Sequence, residues 1–237
     1  MATNPNFTPA LNSVPDNVGG TLQGDHYLDP KLAKFKDDPV IIAMHGANDG
    51  YRIWLDKVKG AVVADDPTMT EAKMFVENHA NASRVLGECA NKAANASALA
   101  KAEVGRIDAE IKERLAIREG TYSKEFRDDF KKMEPSERLS VAFAAVEAGE
   151  VDTISAILAA PPRLSGFTDE QHRVIRSRYE ERLAADLIER KEAVELSLST
   201  NERSLMDAFG AMDSIFPRAI IEDINTRTKA AKDARTF

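Results

Sequence analysis

Apolar residues recur at helical spacing over two long stretches of the chain, one from about Thr68 to Glu119 and one from about Thr168 to Phe216. In the first, Val85/Leu86, Cys89, Ala93, Ala96, Ala100, Val104, Ile107, Ile111, Leu115 and Tyr122 follow at intervals of three or four, with one of seven. That spacing averages about 3.5 residues, the period of a coiled-coil-like seam. In the second, Ile175, Tyr179, Leu183, Leu187, Val194, Leu198, Leu205, Phe209 and Met212 recur mostly at four and seven, nearer an 11-residue repeat. Helix starts precede both stretches. Thr68 with Glu71, and Thr168-Asp169-Glu170-Gln171, have the spacing of capping boxes. Gly120 and Pro217 supply the stops. The expected fold is all-α: a long antiparallel, coiled-coil-like helical hairpin with a cluster of short helices and an extended N-terminal arm. The small residues from Ala90 to Ala102 let a neighbouring helix approach closely. Large side chains of the second helix are expected to fill that shallow stretch. Asp108 with Lys112, and Glu110 with Arg114, sit at i,i+4 in the favourable orientation.

The rest of the chain divides by its breakers. Residues 1–39 read as an arm, punctuated by Pro5, Pro9, Pro15, Pro30 and Pro39. It is expected to lie over a neighbouring subunit or partner. Residues 40–67 read as short elements, with Asp49 capping a helix through Tyr51, Trp54, Leu55 and Val58. His45-Gly46-Ala47-Asn48-Asp49-Gly50 reads as the turn before it. Residues 68–216 form the helical domain: a long helix over 68–119, short helices over 121–160 and a long helix over 168–216. Among the short ones, Phe126 and Phe130 share a face, Pro135 opens a helix, Gly149 ends it, and Val151 or Asp152 opens the next. Residues 217–237 form a short basic C-terminal helix or tail.

From Ala144 to Leu183 the succession A-A-V-E-A-G-E, A-A-P-P-R-L-S-G-F-T-D-E-Q and R-Y-E-E-R-L resembles helical proteins encoded in tailed-phage and prophage structural modules. The resemblance rests on a turn and two helix caps and carries no catalytic residues. It implies a role in a virion or its assembly.

Charge and chemistry narrow the function classes. A net charge of -7 argues against a general nucleic-acid binder, because affinity for phosphate backbones comes from Lys and Arg. The one cysteine, Cys89, can form no disulfide within the chain and lies in the apolar seam as a small hydrophobe. The longest apolar runs, such as Val40 to Met44, fall far short of the roughly 20 residues of a membrane span. The N-terminal stretch lacks the charged and apolar regions of a signal peptide, so synthesis in the cytoplasm is expected. His26, His45, His79 and His172 are scattered, with no pair at metal-ligand spacing. Asp37-Asp38, Asp65-Asp66 and Asp128-Asp129 read as solvated turns and caps, since adjacent carboxylates do not converge. Phosphate-binding glycine loops and a nucleophile elbow are absent. No catalytic, cofactor-binding or metal-ligating residue is assigned.

Two basic clusters remain. Arg173, Arg176, Arg178 and Arg182 alternate with Glu180 and Glu181, as on a solvated, ion-paired helix face. Arg227, Lys229, Lys232 and Arg235 carry only Asp233 among them and are the candidate contact for nucleic acid or an acidic partner. No aromatics are interleaved there for base stacking.

The leading expectation is a non-enzymatic structural or assembly protein. It would be a subunit of a multi-subunit particle such as a phage virion: head, connector, tail or internal protein. A transient assembly scaffold or chaperone is the first alternative. A helical nucleic-acid-binding module acting through the basic tail is the second. The physical reason is burial. Helices of about 50 residues are roughly 75 Å long, and a lone pair leaves apolar surface for other chains. A homo-oligomer, or docking on other structural proteins of an assembly, would cover it. Leu86, Ile107, Tyr179, Leu183 and Leu187 are the candidate interface residues.

Overall fold

Asp38 opens the first long element: its carboxylate accepts from the Val40 and Ile41 amides at 2.8 and 3.4 Å, and Pro39 takes the first helical position. The computed structural model describes residues 11, 13–15, 18, 19, 22 and 28–235. Among them the protein is all-helical, without a strand. The helices are α1 (Pro30–Lys34), α2 (Pro39–Val63), α3 (Glu71–Leu115), α4 (Ser123–Lys132), α5 (Pro135–Ala148), α6 (Val151–Leu158), α7 (Asp169–Ile215) and α8 (Arg218–Asp233). A 3-10 turn, Pro162–Leu164, precedes α7. The chain divides into unit 1, Met1–Ala100 with Val194–Phe237, and unit 2, Lys101–Ala193. Both α3 and α7 contribute to each.

Unit 1 departs from expectation at its start. Residues 40–67 are not a set of short elements, because α2 runs unbroken for 25 residues. The expected turn at His45–Gly50 lies inside it. Three glycines cost about 1 kcal/mol each against alanine. Burial of Ile41, Met44, Tyr51, Trp54, Leu55, Val58 and Val62 on one face outweighs that cost. Gly50 meets α3, where Cys89 Sγ donates to the Gly50 carbonyl at 3.5 Å. Trp54 Nε1 donates to the Ala82 carbonyl at 2.9 Å, and Asn78 Nδ2 to the Ala61 carbonyl at 3.0 Å, so α2 is tied to the first part of α3.

The described part of the arm lies on its own chain. Val18, Leu22 and Leu32 are buried, and Lys59 Nζ donates to the Val18 carbonyl at 3.3 Å. Gly19 has φ +83° and sits where a Cβ would stand 2.2 Å from Leu55 Cδ2, so only glycine lets the chain pass. These positions therefore pack within the chain. Residues 1–10 and the rest of the expected arm before residue 28 lie outside the described residues.

The cap of α3 is Thr70, not Thr68: Thr70 Oγ1 accepts from the Lys73 amide at 3.3 Å. Thr68 is held instead by Asp66, which accepts its amide at 2.9 Å and its hydroxyl at 2.6 Å. The other end comes at Leu115, before Gly120, with Ala116 in the left-handed region at φ +49°. Tyr179 Oη caps that end by donating to the Leu115 carbonyl at 3.2 Å. At the start of α7 the reciprocal capping box forms. The Gln171 amide donates to Thr168 Oγ1 at 3.2 Å, and the Thr168 amide to Gln171 Oε1 at 3.0 Å.

The seam of α7 differs from the apolar stripe read in the sequence. In unit 1 the buried line is Val194, Ser197, Asn201, Ser204, Ala208, Ala211/Met212 and Ile215. Those steps alternate between three and four, the 3.5-residue period. Phe209, expected on the stripe, is half-exposed. Asn201 Nδ2 donates to Ser97 Oγ at 3.3 Å, beside the buried Ala96 and Ala100. At Ser97 the Ala-rich stretch of α3 thus meets a small polar residue of α7. In unit 2 the buried line steps from Tyr179 to Ala184, where φ -138° and ψ 26° leave the helical region. That five-residue step puts Ala184 on the buried line and Leu183 beside it.

Unit 2 is closed by its short helices. Leu115, Phe130, Val146, Ile154, Ile157, Phe167, Ile175 and Tyr179 form its main core. Gly149 ends α5 at φ +73°, with the Glu150 amide donating back to the Ala145 carbonyl at 3.0 Å.

Candidate functional site

The five candidate interface residues are interior. Leu86 is buried in unit 1, and Ile107, Tyr179 and Leu187 are buried in unit 2. Leu183 is partly buried against the unit 2 core. None of the four buried side chains presents surface to a second chain. Periodicity locates a buried face but not the element that buries it, and here other parts of the same chain do so. The Tyr179 phenol is pushed above its usual range by burial.

Charged groups in unit 2 act as struts. Arg114 Nη1 meets Asp186 Oδ1 at 2.7 Å, Lys191 Nζ meets Asp108 Oδ1 at 2.7 Å, and Arg190 pairs with Glu103. Glu103 also takes a two-pronged contact from Arg106, at 2.8 and 2.9 Å. Those bonds from Arg106, with Arg190 adding to them, hold the Glu103 carboxyl down to about 2. The Glu110–Arg114 pair forms as the spacing predicted, at 3.1 Å. Asp108 is drawn across to α7 at Lys191, where a Lys112 partner was expected.

Two arginines brace the short helices. Arg138 donates from Nε to the Phe130 carbonyl at 2.7 Å and from Nη2 to the Met133 carbonyl at 2.8 Å. It also bonds the Gly166 carbonyl through Nη1, and its guanidinium lies 5.9 Å from the Phe167 ring centroid. The C-terminal end of α4 and the turn into α7 thus share one cation. Arg127 is buried between Glu119 at 2.7 Å and the Ala156 carbonyl at 3.4 Å. Burial is the first cause holding the His172 imidazole below its usual range, with the neighbouring Arg176 charge acting the same way.

The basic cluster on α7 is spent on packing as well as on solvated pairs. Arg178 stands 3.9 Å over the Phe143 ring, Arg182 reaches Glu147 at 3.6 Å, and Arg176 reaches Glu180 at 3.8 Å. On α8, Arg227 is paired with Asp223 at 2.9 Å. Lys229, Lys232 and Arg235 lie in an exposed stretch, 225–235, that buries nothing.

The remaining reactive types are dispersed. His45 pairs with Asp49 at 3.2 Å, and His79 sits edge-on to Phe216 at 5.6 Å. The Cys89 thiol is pushed up by burial, and burial with the adjacent Cys89 pushes the Tyr51 phenol up to about 12. Among the described residues no three His, Cys, Asp or Glu side chains gather as a metal ion would require. No helix there is long and apolar enough to cross a membrane.

Sequence reasoning missed a surface on α7. Met206 is 74% exposed and Phe209 50%, three residues apart in unit 1. A groove of about 250 Å³ beside them is lined by Val18, Gly19, Met206, Asp207, Gly210 and Ser214. The available signal was the shift of seam period: with the buried line at 3.5 residues, Phe209 falls outside it. No family model matches the chain, and no curated protein or solved structure matches it.

Proposed function

We propose that this chain is a non-enzymatic structural subunit that joins a multi-subunit assembly. The observation that carries the reading is the apolar surface left on α7 at Met206 and Phe209 after the chain has buried its own seam. Contiguous exposed apolar side chains on a helix are a feature of interaction surfaces. The polar groups support the same reading, because Arg138, Arg127, Arg190 and Arg114 serve as braces between elements. We also read α3 and α7 as an antiparallel, coiled-coil-like hairpin. In unit 2, Arg114 pairs with Asp186 while Glu103 pairs with Arg190, so partner numbers rise on one helix as they fall on the other. The resemblance of residues 144–183 to helical proteins of tailed-phage structural modules points the proposal to a virion particle.

Native mass spectrometry of the purified chain tests the proposal. Integer multiples of the 26.0 kDa chain that persist in fixed stoichiometry are expected. Single chains alone, at every concentration sprayed, would overturn self-association. Complexes that form only with a partner and then dissociate would favour a scaffold or chaperone. One observation favours a second reading, nucleic-acid contact: the exposed stretch 225–235 carries Arg227, Lys229, Lys232 and Arg235. Steep loss of DNA binding with added salt would support it.

A further inference from the structure

Resting on the reading that copies of this chain bind one another, we propose that the outer face of α7 from Arg203 to Asp213 pairs antiparallel with the same face of a second copy, across a twofold axis. Met206, Phe209, Gly210 and Asp213 stand three, four and seven residues apart and so share one face of the helix. Met206 and Phe209 expose large apolar side chains there. Gly210 adds a bare stretch of backbone to that face. It lies inside α7, where glycine weakens a helix, and among the described residues a Cβ built on it would meet nothing within 4 Å. A bare backbone there lets the side chain of a neighbouring helix seat against it.

Charge chooses the occupant and its direction. Arg203 and Asp213 flank the patch with opposite signs, and neither makes an ion pair among the described residues. Glu202, also on this face, is engaged within its own chain. In an antiparallel pair centred on the patch, Arg203 of each copy meets Asp213 of the other, and Met206 of each meets Gly210 of the other. Every contact occurs twice, as a twofold interface requires. A parallel pair in register would set Arg203 against Arg203 and Asp213 against Asp213. The patch spans about three helical turns, short of the roughly 1,000 Å² of a robust interface, so the pairing is weak and depends on concentration.

Charge reversal in the full chain tests it, with self-association followed by sedimentation over a concentration series. Arg203→Asp and Asp213→Arg each set like charges across the axis, and each alone should weaken association about tenfold or more. An equimolar mixture of the two variants restores opposite charges at both contacts and should recover wild-type association. Both positions are exposed, so emission from Trp54 should show each variant folded. If wild type associates and neither reversal weakens it, or if the mixture fails to recover, this pairing is wrong while self-association stands. If wild type stays monomeric throughout, both the pairing and the self-association reading fall.

Discussion

Replacing Asn201 with leucine should stabilise unit 1, and the structure sets the size of the effect. Asn201 is 2% exposed in the α7 seam. Its Nδ2 makes one long bond, to Ser97 Oγ at 3.3 Å, and its Oδ1 has no partner. An unsatisfied buried acceptor costs about 1–3 kcal/mol, and a neutral bond of this kind contributes about 0.5–1.5 kcal/mol. Leucine has the same branched skeleton of heavy atoms. It removes the orphaned oxygen and adds apolar burial beside Ala96 and Ala100, at the loss of the Ser97 bond. Growth in side-chain volume opposes part of the gain, by about 1 kcal/mol if the site yields little. The net expectation is about 1–2 kcal/mol of added stability for Asn201→Leu. Urea unfolding followed by Trp54 emission is the assay, since the chain has one tryptophan and it is buried in the same unit. A loss of 1 kcal/mol or more would refute the reasoning, because it would mean that the seam's polar groups stabilise the native packing.

Three further outcomes follow from the braces of unit 2. Arg138→Ala should lower its stability by about 3 kcal/mol, since two carbonyls of the last turn of α4 and the Gly166 carbonyl lose a charged donor; Arg138→Lys should recover little, because one ammonium cannot span them, and thermal unfolding by circular dichroism reads both. Gly166→Ala should cost more than Gly149→Ala: both have positive φ, but a Cβ at Gly166 would lie 2.8 Å from the Arg138 guanidinium, whereas one at Gly149 meets nothing. Glu103 should contribute to acid stability. Its carboxyl is held down to about 2 from an ordinary 4.5, so its stabilisation is present above pH 4.5 and is lost as pH falls towards 2; Glu103→Gln should flatten that part of the stability profile, and an unchanged profile would contradict the strut.

The helical class was legible because two long stretches carry a strong period and strong punctuation. Thr168 with Gln171 and Gly149 did what such residues do locally. What misled is equally physical. Reading only apolar residues skipped Ser197, Asn201 and Ser204, small polar side chains that are buried in the seam. The stripe then drifted, and Phe209 was placed inside when the fold leaves it outside. Glycine-rich α2 read as a turn because propensity is local while its burial is tertiary. Arg138 could not be found from sequence, since its partners at Phe130, Met133 and Gly166 come together only when α4, α5 and the turn into α7 close. The interface candidates lie inside the chain for a related reason, because side chains that suit a subunit contact suit a core equally well.

Static light scattering of the purified chain across two decades of concentration tests the central claim most directly. If α7 leaves apolar surface for another copy, the weight-average mass should rise above 26.0 kDa as concentration increases. A mass that holds at 26.0 kDa over the whole range would contradict it.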